Sequence, residues 1–353
     1  MSNYLRNIFF VIGLVAIVVM LLTFEVSFVQ LWKDICKAGY WLVAMLALWG
    51  VLYAMNALTW RVIIKGSGDC NISFLKLTKI TITGFALNYA TPVGLLGGEP
   101  YKIMELKPYI GLQRASSSVL LFAMMHIFSH FWFWVTSIVV YVLMYLLGYL
   151  PMGMGMVVVL LLMSLFCGAG IYLFIRGYKK GMVVKLIKML SHVPGLKKWS
   201  VKFESEHQED LRKIDLQISA LQSQNKKNFY CSFFLEYFGR IFQSFEIMFM
   251  LILFEAGSAD IITFTYSFLI LAFTSLFANL LFFFPLQLGG REGGFALSTA
   301  QMGMTNDIGM FVSMMCRVRE IFWASVGLLL MKVGTSVNCK QENINDMDNA
   351  DEK

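Results

Sequence analysis

Charge is scarce in this chain: 14% of its residues are Asp, Glu, Lys or Arg, where a soluble domain carries roughly 25%. Proline is rare too, with 6 among 353 residues. The 6 cysteines (Cys36, Cys70, Cys167, Cys231, Cys316, Cys339) are scattered and form no C-x-x-C pair. Neither a disulfide framework nor a zinc site is implied, and they read as free thiols, mostly apolar filler. The sequence lacks G-x-S-x-G, G-x-x-x-x-G-K-[ST] and any zinc signature. No catalytic constellation, metal or cofactor is therefore expected, and transport by this chain would not draw on its own ATP hydrolysis. No small-x-small cleavage site follows the apolar run 8–24; the next residues are Glu25-Val26-Ser27-Phe28. That run reads as an uncleaved first span rather than a removable signal peptide.

What the chain has instead is apolar length: 58% of its residues are hydrophobic, so it reads as an all-α polytopic membrane protein. Crossing a hydrocarbon core of roughly 30 Å takes about 20 residues in a helix. Runs of this kind occur at 8–24, 41–64, 115–147, 152–175, 229–254 and 308–331. Two further apolar segments, 72–96 and 261–288, end in glycine-rich strings, which makes eight segments in all. Charge placement bears on how they thread. Residues 176–227 hold 12 Lys/Arg against five Asp/Glu, a surplus of seven, which marks a cytoplasmic loop. Basic residues also follow the second run (Arg61, Lys65, Lys76 and Lys79) and precede the third (Lys102, Lys107 and Arg114), so both flanks of the glycine-broken segment read as cytoplasmic and the path between them as re-entrant. Around 261–288 the only nearby base is Arg291, with Glu255, Asp260 and Asp307 close by, which reads as external. About six full spans, two re-entrant or broken-helix segments, cytoplasmic termini and two inverted halves (about 8–147 and 152–335) follow. A count of eight full spans also ends inside, and charge alone leaves both paths open. Residues 1–335 form one transmembrane domain on this reading, and 338–353 a disordered acidic tail.

Within the basic loop, 182–190 is apolar apart from Lys185 and Lys188, which suits a helix lying on the anionic inner leaflet. Leu211, Ile214, Ile218 and Leu221 recur at helical spacing with charges between them. A solvated connector between the halves is the plainer reading.

The two glycine-rich strings match each other. Pro92-Val93-Gly94-Leu95-Leu96-Gly97-Gly98-Glu99 and Pro285-Leu286-Gln287-Leu288-Gly289-Gly290-Arg291-Glu292 each start with proline, carry a Gly-Gly pair and place glutamate seven residues after the proline. A glycine-broken apolar segment recurring in corresponding positions of two halves points to a transporter-type binding site. Ionisable residues inside apolar runs are the second signal, because a charge at the bilayer centre costs at least ~2.5 kcal/mol. Glu236, Arg240 and Gln243 share one helix face, with Glu236 and Arg240 spaced to pair. Arg317 and Glu320 share another face, while Arg319 points elsewhere and reads as a snorkelling side chain. His126 and His130 lie one turn apart and, with aromatics following, read as packed or interfacial rather than metal-binding. With Glu99, Lys102, Arg291 and Glu292 these residues are candidates to line a polar cavity between the halves. Backbone amides freed by the glycines would bind an anionic headgroup, with Arg291, Lys102 and Arg317 adding positive charge.

The string Pro92…Gly97-Gly98-Glu99-Pro100-Tyr101-Lys102, the later Pro285…Gly289-Gly290-Arg291-Glu292-Gly293 and Arg317 near the start of the last run resemble the flippase-like family, also called the lysylphosphatidylglycerol synthase transmembrane region. The resemblance covers roughly residues 5–335. It implies a polytopic inner-membrane protein acting on lipids, without the soluble aminoacyl-transferase domain that accompanies this region in synthases. The second string departs from the commoner pattern, with Gln287-Leu288 before the glycines and Arg291 in place of a small or apolar residue. The leading expectation is a translocase for an anionic or glycosylated phospholipid or a polyprenyl-phosphate lipid, with Glu99 and Glu292 on the polar path and Arg240 and Arg317 as headgroup counter-charges. Its expected partners are membrane lipids and not nucleic acid. The alternatives are an accessory subunit presenting lipid to a separate lipid-modifying enzyme, and a membrane-embedded transferase with Glu99 or His126 as base.

Overall fold

In hydrocarbon a backbone amide finds no water, so each apolar run must satisfy its hydrogen bonds internally, and the helix does so within one segment. The protein follows that rule. A computed structural model describes residues 28–90, 97–180, 226–280 and 290–332, with Val11 and a few positions between 205 and 216. Among the described residues all regular structure is helical: α1 (Phe28–Gly66), α2 (Phe74–Ala90), α3 (Gly98–Ile110), α4 (Leu112–Leu146), α5 (Met154–Lys180), α6 (Lys226–Leu253), α7 (Ile261–Leu280), α8 (Gly290–Gln301) and α9 (Asn306–Lys332). Among the described residues four stretches are long and apolar enough to cross a membrane: Ala38–Gly66, Leu112–Leu146, Met154–Arg176 and Ile261–Leu280. The expected first span, 8–24, lies outside the described residues apart from Val11. The expected spans at 229–254 and 308–331 correspond to α6 and α9, of 28 and 27 residues, whose buried ionisable groups dilute their apolar character. The segment 261–288, expected as re-entrant, contains in α7 a helix that by length and composition could cross.

Helix boundaries follow local chemistry. The helix α1 bends at Gly39, whose φ of 50° an L side chain rarely adopts. Pro108 in the last turn of α3 and Gly111 at φ 78° stop one helix and start the next. Before α7, Asp260 Oδ1 accepts the Thr263 N–H at 2.7 Å, and Ser258 donates its hydroxyl to Asp260 Oδ2 at 2.6 Å. This is a side-chain cap on an otherwise open helix start.

The helices pack in a definite order. α1 lies along α6 and α2. α9 packs on α2 and α8, and α7 on α6, α8 and α4. α4 in turn meets α3, α5, α6 and α1. Two apolar cores result. One joins Trp60 of α1, Leu77 of α2, Tyr101 of α3, Met125 of α4 and Leu328 of α9. The other joins Met45 of α1, Phe133 of α4, Ile247 of α6, Leu269 of α7, Phe295 of α8 and Val312 of α9. Leu211, from the basic segment, is also buried in the first core, so at that position the segment packs on the bundle instead of running free in solvent. The rest of the apolar pattern expected there, and Lys185 and Lys188, lie outside the described residues.

The pair α2–α3 closes tightly on itself. A Cβ added at Gly98 would strike the Gly84 carbonyl oxygen, so only glycine lets these backbones approach. The Gly98 N–H donates to Asn88 Oδ1 at 2.6 Å. At the other end of the pair Lys76 Nζ donates to the Tyr109 hydroxyl. Close by, Arg114 of α4 donates to Ser67 Oγ at 3.4 Å and to the Asp69 carbonyl at 3.2 Å. The pair α7–α8 is joined by Thr274 Oγ1 donating to Ser298 Oγ at 3.4 Å. Its outer end meets the C-terminal end of α4: Gln301 Nε2 donates to the Tyr141 hydroxyl at 2.8 Å, which itself donates to the Pro151 carbonyl at 2.6 Å, and the Tyr266 hydroxyl reaches the Tyr149 carbonyl at 3.2 Å.

Candidate functional site

A buried charge is tolerated only when partners replace the water it loses. The structure sorts the ionisable residues into two such centres. The first lies where α2, α3, α4 and α6 meet. Glu99 stands in the first turn of α3, and Lys102 one turn later donates to Glu99 Oε1 at 3.0 Å. Asn88 Nδ2 approaches the same oxygen at 3.4 Å, while Glu99 Oε2 accepts no hydrogen bond among the described residues. The Lys102 ammonium sits 5.3 Å from the centre of the Phe122 ring. One turn beyond Phe122 on α4, His126 Nδ1 lies 2.9 Å from Glu236 Oε2 of α6. Arg240, one turn after Glu236, donates Nε to Ser129 Oγ at 2.8 Å, Nη2 to the His126 carbonyl at 2.8 Å and Nη1 to His130 Nε2 at 2.6 Å.

The second centre joins α6, α8 and α9. Arg319 and Glu246, both almost fully buried, pair through Nε to Oε1 at 2.9 Å and Nη2 to Oε2 at 3.3 Å. The Arg319 guanidinium also lies 3.7 Å from the centre of the Trp49 ring of α1. Glu320 Oε1 accepts hydrogen bonds from Arg291 and, at 3.4 Å, from Arg319, while Arg317 pairs with Glu320 as an ion pair at 3.7 Å. Arg317 donates to Glu292 Oε1 through Nη2 at 2.9 Å. Three arginines thus face three glutamates, and the centre is electrically balanced. Among the ion-paired side chains of the two centres the most exposed are His126 and Glu292, at 39% and 38%, followed by Glu99 and Arg291.

Several expectations are corrected here. Glu236 and Arg240 share a helix face but make no direct hydrogen bond or ion pair; each turns to α4, where better-placed partners wait. Arg319 does not snorkel: it is 1% exposed, held inward by Glu246 and Trp49. The Gly98 amide is not freed for a headgroup, because Asn88 occupies it. Arg317 is already matched by Glu292 and Glu320, and Lys102 by Glu99. His126 and His130 do more than pack, since each hydrogen-bonds a charged residue of α6. Arg317 and Glu320 do share a face and approach each other. By hydrogen bonds and ion pairs among the described residues, the candidates group into two networks, which adjoin at the neighbouring residues Asn88 and Tyr89 of α2. Of the glycine-rich strings, Gly97, Gly98 and Gly290 are in place at the starts of α3 and α8, while Pro92, Pro285 and Gly289 lie outside the described residues. Glu246, Asn88, Ser129 and Trp49 went unnoticed in the sequence. Glu246 carried a signal, falling three residues after Gln243 on the same helical spacing; the other three are ordinary residues for a membrane helix and carried none.

Helices arranged around buried ionic centres, with charged first turns just after each glycine-rich string, define an all-helical membrane protein. The family described as the lysylphosphatidylglycerol synthase TM region matches residues 9–327, and the chain belongs to it. Nothing matches among curated proteins or among solved structures. Membership of this family gives the protein a lipid-related role in a membrane.

Proposed function

We propose that the protein moves a membrane lipid between leaflets, with an anionic or glycosylated phospholipid or a polyprenyl phosphate as cargo. The observation that carries this reading is the recurrence of one arrangement: α3 and α8 each begin at a Gly-Gly pair, and each holds in its first turn a partly exposed glutamate bonded to a buried cation. A polar foothold at the start of a broken helix, set in an apolar bundle, is the form a headgroup path takes.

A correspondence in helix packing supports reading the chain as two inverted halves. Exchanging α1 with α6, α2 with α7, α3 with α8 and α4 with α9 turns the packing pairs into one another: α2 on α9 becomes α7 on α4, and α3 on α4 becomes α8 on α9. The pair α2–α3 opens beside the first residues of α4, and α7–α8 beside its last, which favours hairpins entering from opposite sides. On this reading the chain is a single domain with about six spans in the cytoplasmic membrane, the basic segment 176–227 and both termini being cytoplasmic.

Liposomes containing the purified full-length chain test the reading. Headgroup-labelled phosphatidylglycerol in the inner leaflet should become accessible to an impermeant quencher faster than in protein-free vesicles. No acceleration with any anionic or isoprenoid-phosphate lipid removes the translocase and favours the subunit that presents lipid to a separate enzyme. A new covalent lipid product would favour the transferase.

A further inference from the structure

The two centres differ in one chemical respect that the lipid reading does not use. Among the described residues the charged groups of the second are arginines and glutamates, which keep their charges across the physiological range, while the first contains two histidines, the side chains that change charge there. We propose that His126 and Glu236 form a proton-binding site, and that protonation there switches the first centre from neutral to cationic so that it holds an anionic headgroup. This rests on the lipid reading and names the second ligand of the same site.

The hydrogen bonds assign the protons. Arginine has no acceptor, so His130 Nε2, 2.6 Å from Arg240 Nη1, must present its lone pair. His130 is thereby held neutral with its proton on Nδ1. For His126 the chemistry is the reverse: Nδ1 faces the Glu236 carboxylate at 2.9 Å and must carry the proton it donates. Its Nε2 is left as the basic atom, on a side chain 39% exposed, while Glu236 behind it is 3% exposed. Glu236 Oε1 accepts no hydrogen bond among the described residues, so the carboxylate has capacity to support a second positive charge. A proton from water adds to His126 Nε2, no bond breaks, and the imidazole becomes imidazolium still bonded to Glu236.

The surroundings give that charge its effect. With His126 neutral, Glu236 and Glu99 balance Arg240 and Lys102. From α6 come Glu236 and Arg240, from α3 Glu99 and Lys102, and from α4 itself His130. Among the described residues α1, α5 and α7 contribute uncharged contacts to this stretch of α4, such as Trp60 with Ser118 and Phe122, Phe174 with Phe128 and Ser275 with Trp134. Protonation therefore leaves the centre with one net positive charge at its exposed edge, since among the described residues named here Glu236 and Glu99 are already balanced by Arg240 and Lys102. An anionic headgroup is the counter-charge the site then lacks.

Two measurements on the purified full-length protein in detergent test this. The chain has 4 histidines, so ring-15N-histidine spectra can be assigned by the signal missing from H126N. The His126 ring should gain a proton as the pH is lowered from neutral across the range in which the protein stays folded, and E236Q should displace that change. Phosphatidylglycerol, with phosphatidylcholine as control, should raise the melting temperature more at the acid end of the range, reflecting roughly tenfold tighter binding, and H126N should lose the pH difference. A His126 ring that keeps one protonation state throughout overturns the proton site, whatever the lipid does. A ring that titrates while phosphatidylglycerol stabilises equally at both pH values, or not at all, overturns the switch. If H126N does not fold, E236Q decides through the same two readings. Loss of leaflet exchange with pH-dependent phosphatidylglycerol binding intact would overturn the translocase reading alone.

Discussion

Replacing Glu246 with leucine keeps a side chain of similar size on α6 but leaves Arg319 facing it without a carboxylate. Arg319 would lose its hydrogen bonds at 2.9 and 3.3 Å and keep only Glu320 at 3.4 Å, together with the Trp49 ring. Glu320 is already shared with Arg291 and Arg317, so three arginines would face two glutamates in a centre where Arg319 is 1% exposed. Breaking a buried pair by removing one partner costs about 3–5 kcal/mol, because the remaining charge stays desolvated. At roughly 2–4 °C per kcal/mol for a large domain, the melting temperature in detergent should fall by on the order of 10 °C. Removing Arg319 as well, as E246L/R319M, takes away both buried charges and should recover most of the loss, since apolar replacement of a whole buried pair is often close to neutral. The assay is fluorescence-detected thermal unfolding of the purified variants, with retention on size-exclusion chromatography after heating as a second readout. A single variant that melts with the wild type, or a double variant as unstable as the two singles added together, would refute the account of Arg319 and Glu246 as a mutually dependent pair.

Glu292→Gln should cost much less stability, because the Glu292 side chain is 38% exposed and water can replace it beside Arg317; the same melting assay compares the two acids, and lipid exchange should fall for Glu292→Gln if its charge serves the path. Gly98→Val should destabilise by about 1–3 kcal/mol or prevent folding, since its Cβ meets the Gly84 carbonyl, whereas Gly153→Ala, with nothing within 4 Å, should leave expression and melting unchanged. Single cysteines at 67 and 113, in a background lacking the native ones, should show the same accessibility to an impermeant thiol reagent in intact cells, because Arg114 bonds Ser67 and Asp69; labelling of only one would remove the hairpin reading of α2–α3. The Ser258 hydroxyl, followed by the Thr263 amide, holds the Asp260 carboxyl below the usual carboxylate range. A depressed carboxyl stabilises the fold above its unfolded-state titration and loses that contribution as pH falls through the folded value, so protection of the Thr263 amide from hydrogen exchange should persist at neutral pH and weaken on acidification, and Asp260→Asn should abolish that pH dependence.

Much of the fold could be read directly. Apart from the start of α1, the runs 41–64, 115–147, 152–175, 229–254 and 308–331 became helices with ends within about five residues of those expected, because hydropathy and backbone satisfaction in lipid are local constraints that a single segment meets by itself. Glu99 and Glu292 in the first turns of α3 and α8 were equally visible, since a glycine pair followed by an acid marks a helix start whatever it packs against. The longer reach of α1, to Phe28, was not visible, because Lys33, Asp34 and Lys37 interrupt the apolar run there.

Which charges belong together could not be read. Arg319 alone looked like a snorkelling side chain, and its partner Glu246 is 73 positions away in the chain. Glu236 and Arg240 were correctly spaced for each other, yet α4 supplied His126, Ser129 and His130 at shorter range than either offered the other. The amino-acid sequence by itself determined that the chain is membrane-embedded and helical and where along each helix the ionisable groups fall. Only the tertiary structure decided that these groups form two adjoining centres, one charged by arginine and glutamate and one with histidine, because helix rotation and crossing set which faces meet, and a buried charge takes whatever partner that meeting brings within about 3 Å.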